Sequence, residues 1–242
     1  MNNARRHGQS WPRRAFRAIS TTAPCAAPER QSGMDSTLLK GIDVSHFQGR
    51  IDWPKVAQQG IAFAYAKASE GSGVTDAMFG ANYQGMRAAG IARGAYHFLH
   101  ADVDAGQQAR HFLSVLGAPE AGDLPPMLDV ETACGMPCAA IDSCALEWLT
   151  EVQKALGCTP LIYSSLSFWN SNLAGCAALC AYPLWIAEYT TAAAPVVPHG
   201  VSGYTIWQHA QTGTLDGIAG AVDLDLFNGS AEALAQLGRP AA

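Results

Sequence analysis

From residue 41 onward, short apolar runs of strand length alternate with segments of helical pattern, and this alternation restricts the fold more than any other feature of the chain. Residues 41–47, 61–69, 91–99, 124–131, 160–165, 183–189, 204–210 and 221–227 read as strands. Helical patterns cover 53–59, 76–89, 104–116 and 141–156, with a short helix over 167–173 and a terminal one over 230–237. The punctuation fits: Asp52 is an N-cap followed by Pro54, and Gly90, Gly117 and Gly157 stand just past helix ends. Strands alternating with helices predict a parallel sheet with helices outside, and eight strands are enough to close a barrel. The first five strands are joined by helices. The last three are joined by Ala-, Gly-, Pro- and Thr-rich segments, so the expected α/β barrel is irregular. No linker divides residues 37–242, which are expected to form one domain; residues 1–36 read as a basic, poorly ordered tail.

In a barrel of this kind the chemistry sits at the C-terminal strand ends. The stretch 124–132, LPPMLDVET, reads as a buried strand ending in two carboxylates one residue apart. Residues i and i+2 of a strand share a face, so Asp129 and Glu131 are expected to project together, with Val130 facing the other way. Neighbouring carboxylates push their pKa values apart, which glycoside hydrolysis exploits. An isolated Asp-x-Glu is more commonly a surface pair, but here the other strands add to it. Asp43 and Asp223 sit inside otherwise apolar strands, where a carboxylate is rarely placed without a partner or a role. Polar and aromatic side chains recur along the strands: Tyr65 and Lys67, Tyr96 and Phe98, Tyr163, Trp185 and Glu188, Trp207 and Gln208, and Asp225. An acidic floor rimmed by aromatics suits a sugar polymer, because aromatic faces stack on pyranose rings while carboxylates bind hydroxyls.

Charge excludes other ligand classes. Residues 1–40 carry seven Lys/Arg against two acids, whereas residues 41–242 carry eight basic and eighteen acidic residues. A strongly acidic globular part is a poor partner for nucleic acid. No stretch approaches the 18 or more apolar residues of a membrane span, and the basic N-terminus lacks an apolar run of signal-peptide length. Ordered patterning begins just after Met34, a second candidate start. Six of the seven cysteines (Cys134, Cys138, Cys144, Cys158, Cys176, Cys180) fall between residues 134 and 180. Their clustering suggests one to three disulfides and an oxidising destination. Their spacings lack the tight pairs of cysteine zinc sites; reduced cysteine acting as a small hydrophobe is the third option.

Several motifs in order carry a resemblance: GIDVSHFQG (41–49), IDW (51–53), FAYAKASEG (63–71), GAYHF (94–98), LDVE (128–131), LWIA (184–187), WQ (207–208) and VDLD (222–225). Together they resemble glycoside hydrolase family 25, the Chalaropsis-type lysozymes, over residues 41–228. The resemblance implies an irregular, TIM-like (β/α)5(β)3 barrel and cleavage of the β-1,4 bond between N-acetylmuramic acid and N-acetylglucosamine in peptidoglycan, with no cofactor and no metal. It implies Glu131 as general acid/base, Asp129 as second carboxylate, and Asp43 and Asp223 as supporting acids. Residues 1–40 and the cysteine cluster lie outside the family pattern. The expected enzyme is a monomer acting on cell-wall glycan strands after secretion or release.

Three alternatives stand beside this reading. A chitinase-like barrel normally carries a D-x-x-D-x-D-x-E run, and here residues 125–128 are Pro, Pro, Met and Leu. A non-catalytic glycan-binding barrel is disfavoured by the presence of all four acids. A metal-dependent hydrolase would require histidine ligands; His46 and His97, near strand ends, are expected to serve structure or substrate contact.

Overall fold

The computed structural model describes residues 38–237; the expected N-terminal tail lies outside them. Nine strands appear: β1 (Leu39–Val44), β2 (Ile61–Glu70), β3 (Val74–Thr75), β4 (Ala92–Phe98), β5 (Met127–Asp129), β6 (Leu161–Ser165), β7 (Leu184–Ala187), β8 (Ile206–Gly213) and β9 (Val222–Phe227). Eight of them close a barrel in the order β1-β2-β4-β5-β6-β7-β8-β9 and back to β1, while β3 is a two-residue edge ribbon on β2. Four helices, α1 (Trp53–Gln58), α2 (Phe79–Ala88), α3 (Ala105–Leu116) and α4 (Cys138–Leu156), cover the first half. A one-turn α5 (Leu166–Phe168) runs into a π-helical turn (Trp169–Leu173), and α6 (Ala231–Leu237) follows β9.

One expectation about the sheet is corrected. The barrel strands β1, β2 and β4 to β8 run parallel, but β9 is antiparallel to both β8 and β1. No helix separates β8 from β9, so the chain reverses through a turn rather than crossing over. The N-terminal end of β9 therefore lies at the mouth where the other strands finish, and Asp223 reaches that mouth from the start of its strand.

Helix ends follow the expected chemistry. Asp52 accepts a hydrogen bond from the Lys55 amide, Asp104 accepts one from Gln107, and Gly157 closes α4 in the left-handed conformation. The second helix starts three residues later than expected. The Asp76 carboxylate instead receives the backbone amides of His46 and Met78 and the His46 ring. Strand β5 is shorter than the expected 124–131, because Pro125 and Pro126 have no N–H to donate to a ladder.

Two layers of apolar packing hold the barrel. Ile42, Val44, Ala64, Ala66, Leu128, Val130, Ile162 and Ile186 face the helices, where Met86, Phe112, Trp148 and Trp169 meet them. The interior is filled by Phe63, Tyr65, Leu161, Trp185, Ile206 and Phe227. Two glycines make room for it: a Cβ on Gly41 would strike the Phe63 ring, and one on Gly94 the Tyr65 ring. His97 is buried and stacked on Trp148 at 5.4 Å, between Ser69 Oγ and Gln108 Oε1. Burial drives its pKa down to about 3, so it is a neutral structural residue.

All six described cysteines are free thiols, which corrects the disulfide expectation. Cys144 is a buried hydrophobe against α3; Cys138 is exposed at the start of α4. No described helix is long and apolar enough to cross a membrane.

Candidate active site

A cavity of about 240 Å³ opens at the mouth where the parallel strands end. Its lining includes Asp43 from β1, Lys67 from β2, Tyr96 and Phe98 from β4, Asp129 from β5, Tyr163 from β6, Gln208 from β8 and Asp223 from β9, with Glu131 just beyond β5. Glu131 falls outside the strand proper. Val130 stays in register all the same, because its amide donates to the Tyr163 carbonyl at 3.0 Å. Val130 is buried toward the helices while Asp129 and Glu131 both line the cavity, as alternation along an extended segment requires.

The four acids are held differently. Asp129 is buried, and its Oδ1 has no hydrogen-bond partner. Glu131 is exposed on the rim. Asp43 and Asp223 are paired across the β1–β9 ladder. Gln208 ties the floor together: its Nε2 donates to Asp43 Oδ2 at 2.8 Å, and its Oε1 accepts from Tyr163 Oη at 3.0 Å and Tyr189 Oη at 2.7 Å. Among the described lining residues Lys67 is the only cation; it lies 2.6 Å from Glu70 and over the Phe98 ring.

Five carboxyls with one nearby ammonium cannot all ionise. Burial, and then Asp223, pushes Asp43 well above the usual carboxylate range. Burial, then Glu131 and Asp43, does the same to Asp129, against the pull of Lys67. Desolvation raises Glu131 as well, with Lys67 opposing and Asp223 adding, and burial pushes Asp223 up to about 6. Behind the floor, burial, and then Asp43 and Asp223, raises Asp225 well above its ordinary value. Its Oδ1 accepts from Trp185 Nε1 at 3.2 Å, and its Oδ2 is buried with no hydrogen-bond partner. The site thus holds protons on carboxyl groups near neutral pH, which general acid catalysis requires.

Not every residue expected at the site reaches the cavity. Tyr65 is buried, its hydroxyl donating to the Pro125 carbonyl and its ring 4.9 Å from Trp185. Trp185 is fully buried and donates to Asp225 Oδ1 at 3.2 Å, so Trp185 and Asp225 support the floor from beneath. Trp207 packs outward, with Nε1 on the Glu188 carbonyl. The Glu188 carboxylate accepts the Val196 amide and serves the loop after β7. Alternation explains these placements: inward-pointing residues below the rim become interior filling, and outward ones join the helix layer.

Two rim aromatics went unassigned by sequence reasoning. Phe47, in the one-turn segment His46–Gln48 after β1, is 78% exposed; Tyr189, just past β7, is 50% exposed. Both line the cavity. An aromatic immediately following a mouth strand was the available signal, but exposure at a loop is set by the neighbouring loops.

A closed eight-stranded barrel with its acids gathered where the parallel strands end is an enzyme barrel. Residues 42–218 match the family model for glycosyl hydrolases family 25. The chain is 38% identical to protein YegX of Escherichia coli K12 over 204 residues, spanning 82% of this chain and 73% of that one. It is 37% identical to lysozyme M1 of Streptomyces globisporus over 213 residues, spanning 84% and 72%. The crystal structure of a bacterial lysozyme from Streptomyces coelicolor superposes with a TM-score of 0.77 at 35% identity, over 84% of this chain and 98% of that one. The chain belongs to glycoside hydrolase family 25 and is a glycoside hydrolase.

Proposed function

We propose that this enzyme is a muramidase that hydrolyses the β-1,4 bond between N-acetylmuramic acid and N-acetylglucosamine in bacterial peptidoglycan, with net retention, and that it acts on the wall after secretion or release. Family membership and the lysozyme relatives support the substrate class. The observation that carries the catalytic reading is the shared cavity of Asp129 and Glu131, in which Asp129 Oδ1 is buried with no partner of its own. An orphan acceptor at that depth is costly unless a ligand satisfies it, and the N–H of a 2-acetamido group is a fitting donor.

In this reading Glu131, protonated in the resting enzyme, gives its proton to the glycosidic oxygen as the bond to the leaving sugar breaks. The substrate's acetamido oxygen closes onto the anomeric carbon, and Asp129 orients that group and stabilises its positive charge. Direct attack by Asp129 is the competing role. Glu131 then takes a proton from the water that opens the ring intermediate, which restores the acid. Asp43, Asp223, Gln208 and Tyr163 hold the charge and hydrogen bonding of the floor, with Asp225 and Trp185 beneath. Lys67, Tyr96 and Phe98 contact the sugar from the β2–β4 side, and Phe47 and Tyr189 stack on it at the rim.

Digestion of purified peptidoglycan, followed by mass analysis of the new reducing ends, tests the assignment. Muramic acid at those ends is the expected result. Glucosamine there makes the enzyme a glucosaminidase, and binding without new reducing ends makes it a glycan-binding barrel.

A further inference from the structure

Beside the mouth lies a second cluster that glycoside cleavage does not use. His100 lies two residues past β4, Asp102 follows in the next turn, and Cys134 sits in the loop three residues beyond Glu131. One ligand atom from each, the His100 ring nitrogen, a carboxylate oxygen and Sγ, lies within 4.8 Å of the others. His100 Nδ1 is 4.0 Å from Cys134 Sγ, while Nε2 contacts Glu70 Oε1 at 2.9 Å. We propose that His100, Asp102 and Cys134 form a binding site for a borderline-soft divalent metal, with Zn²⁺ the best fit, which braces the loop carrying Glu131 against the turn after β4.

Three features favour a built site over a chance cluster. The donor set is one imidazole, one thiolate and one carboxylate, whose two negative charges balance a divalent ion, and the thiolate selects against Mg²⁺ and Ca²⁺. With Zn–S near 2.3 Å and Zn–N near 2.0 Å, ligand atoms of a tetrahedral site stand about 3.5 Å apart. The 4.0 Å between sulfur and nitrogen closes to that by a small side-chain rotation. Water would complete the fourth position.

The supporting shell is also present. A metal on Nδ1 leaves Nε2–H to donate to Glu70, the carboxylate–histidine–metal arrangement that fixes the tautomer and orients the ring. The His100 backbone is clamped on both sides by the buried Gln108 side chain, which accepts from its amide at 3.0 Å and donates to its carbonyl at 2.8 Å.

The backbone at Cys134 is the third feature. Among the described residues it is the one non-glycine with positive φ, at 49°, and Gly135 follows at 72°. With the Met136 amide on the Ala133 carbonyl, residues 133–136 form a tight turn whose two central positions favour Asn or Gly. A cysteine there is unfavourable for the turn and is explained by what its sulfur binds. On binding, the thiol loses its proton to solvent as the metal–sulfur bond forms.

The test uses tag-free full-length chain, kept reduced, stripped with chelator and titrated with Zn²⁺ or Co²⁺. One Co²⁺ per chain with a thiolate-to-cobalt charge-transfer band is expected, along with a Zn²⁺-dependent rise in Tm and slowed amide exchange over residues 131–136. Cys134→Asn suits the turn, so it should fold at least as well without metal yet lose the band and the Tm increment. Cys158→Ser should keep both, and Glu70→Gln should weaken Zn²⁺ binding by roughly 10- to 100-fold. Absence of a metal-dependent increment in the unaltered chain, or its survival in Cys134→Asn, overturns the proposal. None of these readouts depends on hydrolase activity, so the result stands apart from the muramidase assignment.

Discussion

Asp43 and Asp223 are register partners across the antiparallel β1–β9 pair, two acids directly opposite one another on the inner face of the barrel mouth. Like charges in that position repel, and the site answers by keeping protons there. Burial pushes the Asp223 carboxyl up to about 6 from the ordinary value of 3.8. A carboxyl with a raised folded-state pKa contributes stability that is complete below the ordinary value and is lost as pH rises through the folded value. Asp223→Asn should therefore raise Tm at pH 7 to 8 and leave it nearly unchanged at pH 3.5. Activity should fall at both. Melting curves and wall-clearing assays across pH check the pair of outcomes.

Glu131 stands on the rim rather than in the packed interior, so its loss should separate chemistry from folding. Glu131→Gln should reduce kcat by roughly 10²- to 10⁴-fold with a Tm within the range expected of a surface change. A folded variant with near-normal clearing of cell-wall suspensions would remove Glu131 from proton transfer.

The role of Asp129 is tested by looking for a bond. If the acetamido group is the nucleophile, rapid quenching during turnover should yield no glycosylated Asp129 peptide by mass spectrometry, even with a slow fluorinated substrate. A covalent sugar on Asp129 would instead establish direct attack.

The rim aromatics should act on binding, and Tyr189 on the floor network as well. Phe47→Ala and Tyr189→Phe bracket stacking and hydrogen bonding, since Tyr189 also donates to Gln208. Phe47→Ala removes an exposed ring whose contact with a sugar is worth on the order of 1 kcal/mol, so KM for polymeric glycan should rise roughly fivefold with kcat little changed. Tyr189→Phe should retain stacking and alter the pH profile through the floor network. Steady-state kinetics on soluble glycan strands distinguish the two.

Away from the site, Arg93 grips Asp123 through two hydrogen bonds, at 2.7 and 3.2 Å, with both side chains buried. Burial alone would raise the Asp123 pKa, but the Arg93 hydrogen bonds outweigh it and the net shift is downward. That contribution is present above the ordinary Asp pKa and lost as pH falls through the lowered value. Arg93→Met leaves the buried Asp123 carboxylate with Tyr83, the Glu120 amide and the more distant Arg87, and should cost up to roughly 3–5 kcal/mol, whereas the double change Arg93→Met with Asp123→Leu should recover most of it. Denaturant melts at pH 7 measure both.

The sequence by itself determined the order of elements, the helix caps at Asp52 and Gly157, and the pairing of Asp129 with Glu131, because period, capping chemistry and strand alternation are local. The family motifs also brought Asp43 and Asp223 into one expectation with them. Only the tertiary structure decided that β9 runs antiparallel, since strand direction follows from how the chain closes the barrel. It also decided which aromatics meet the cavity. Tyr65 and Trp185 sit below the rim and became interior filling, Trp207 turned to the helix layer, and Phe47 and Tyr189 were left exposed by the loops around them. The free thiols and the meeting of His100, Asp102 and Cys134 belong to the same class: contacts between residues 34 positions apart are set by barrel closure, and spacing along the chain carries no record of them.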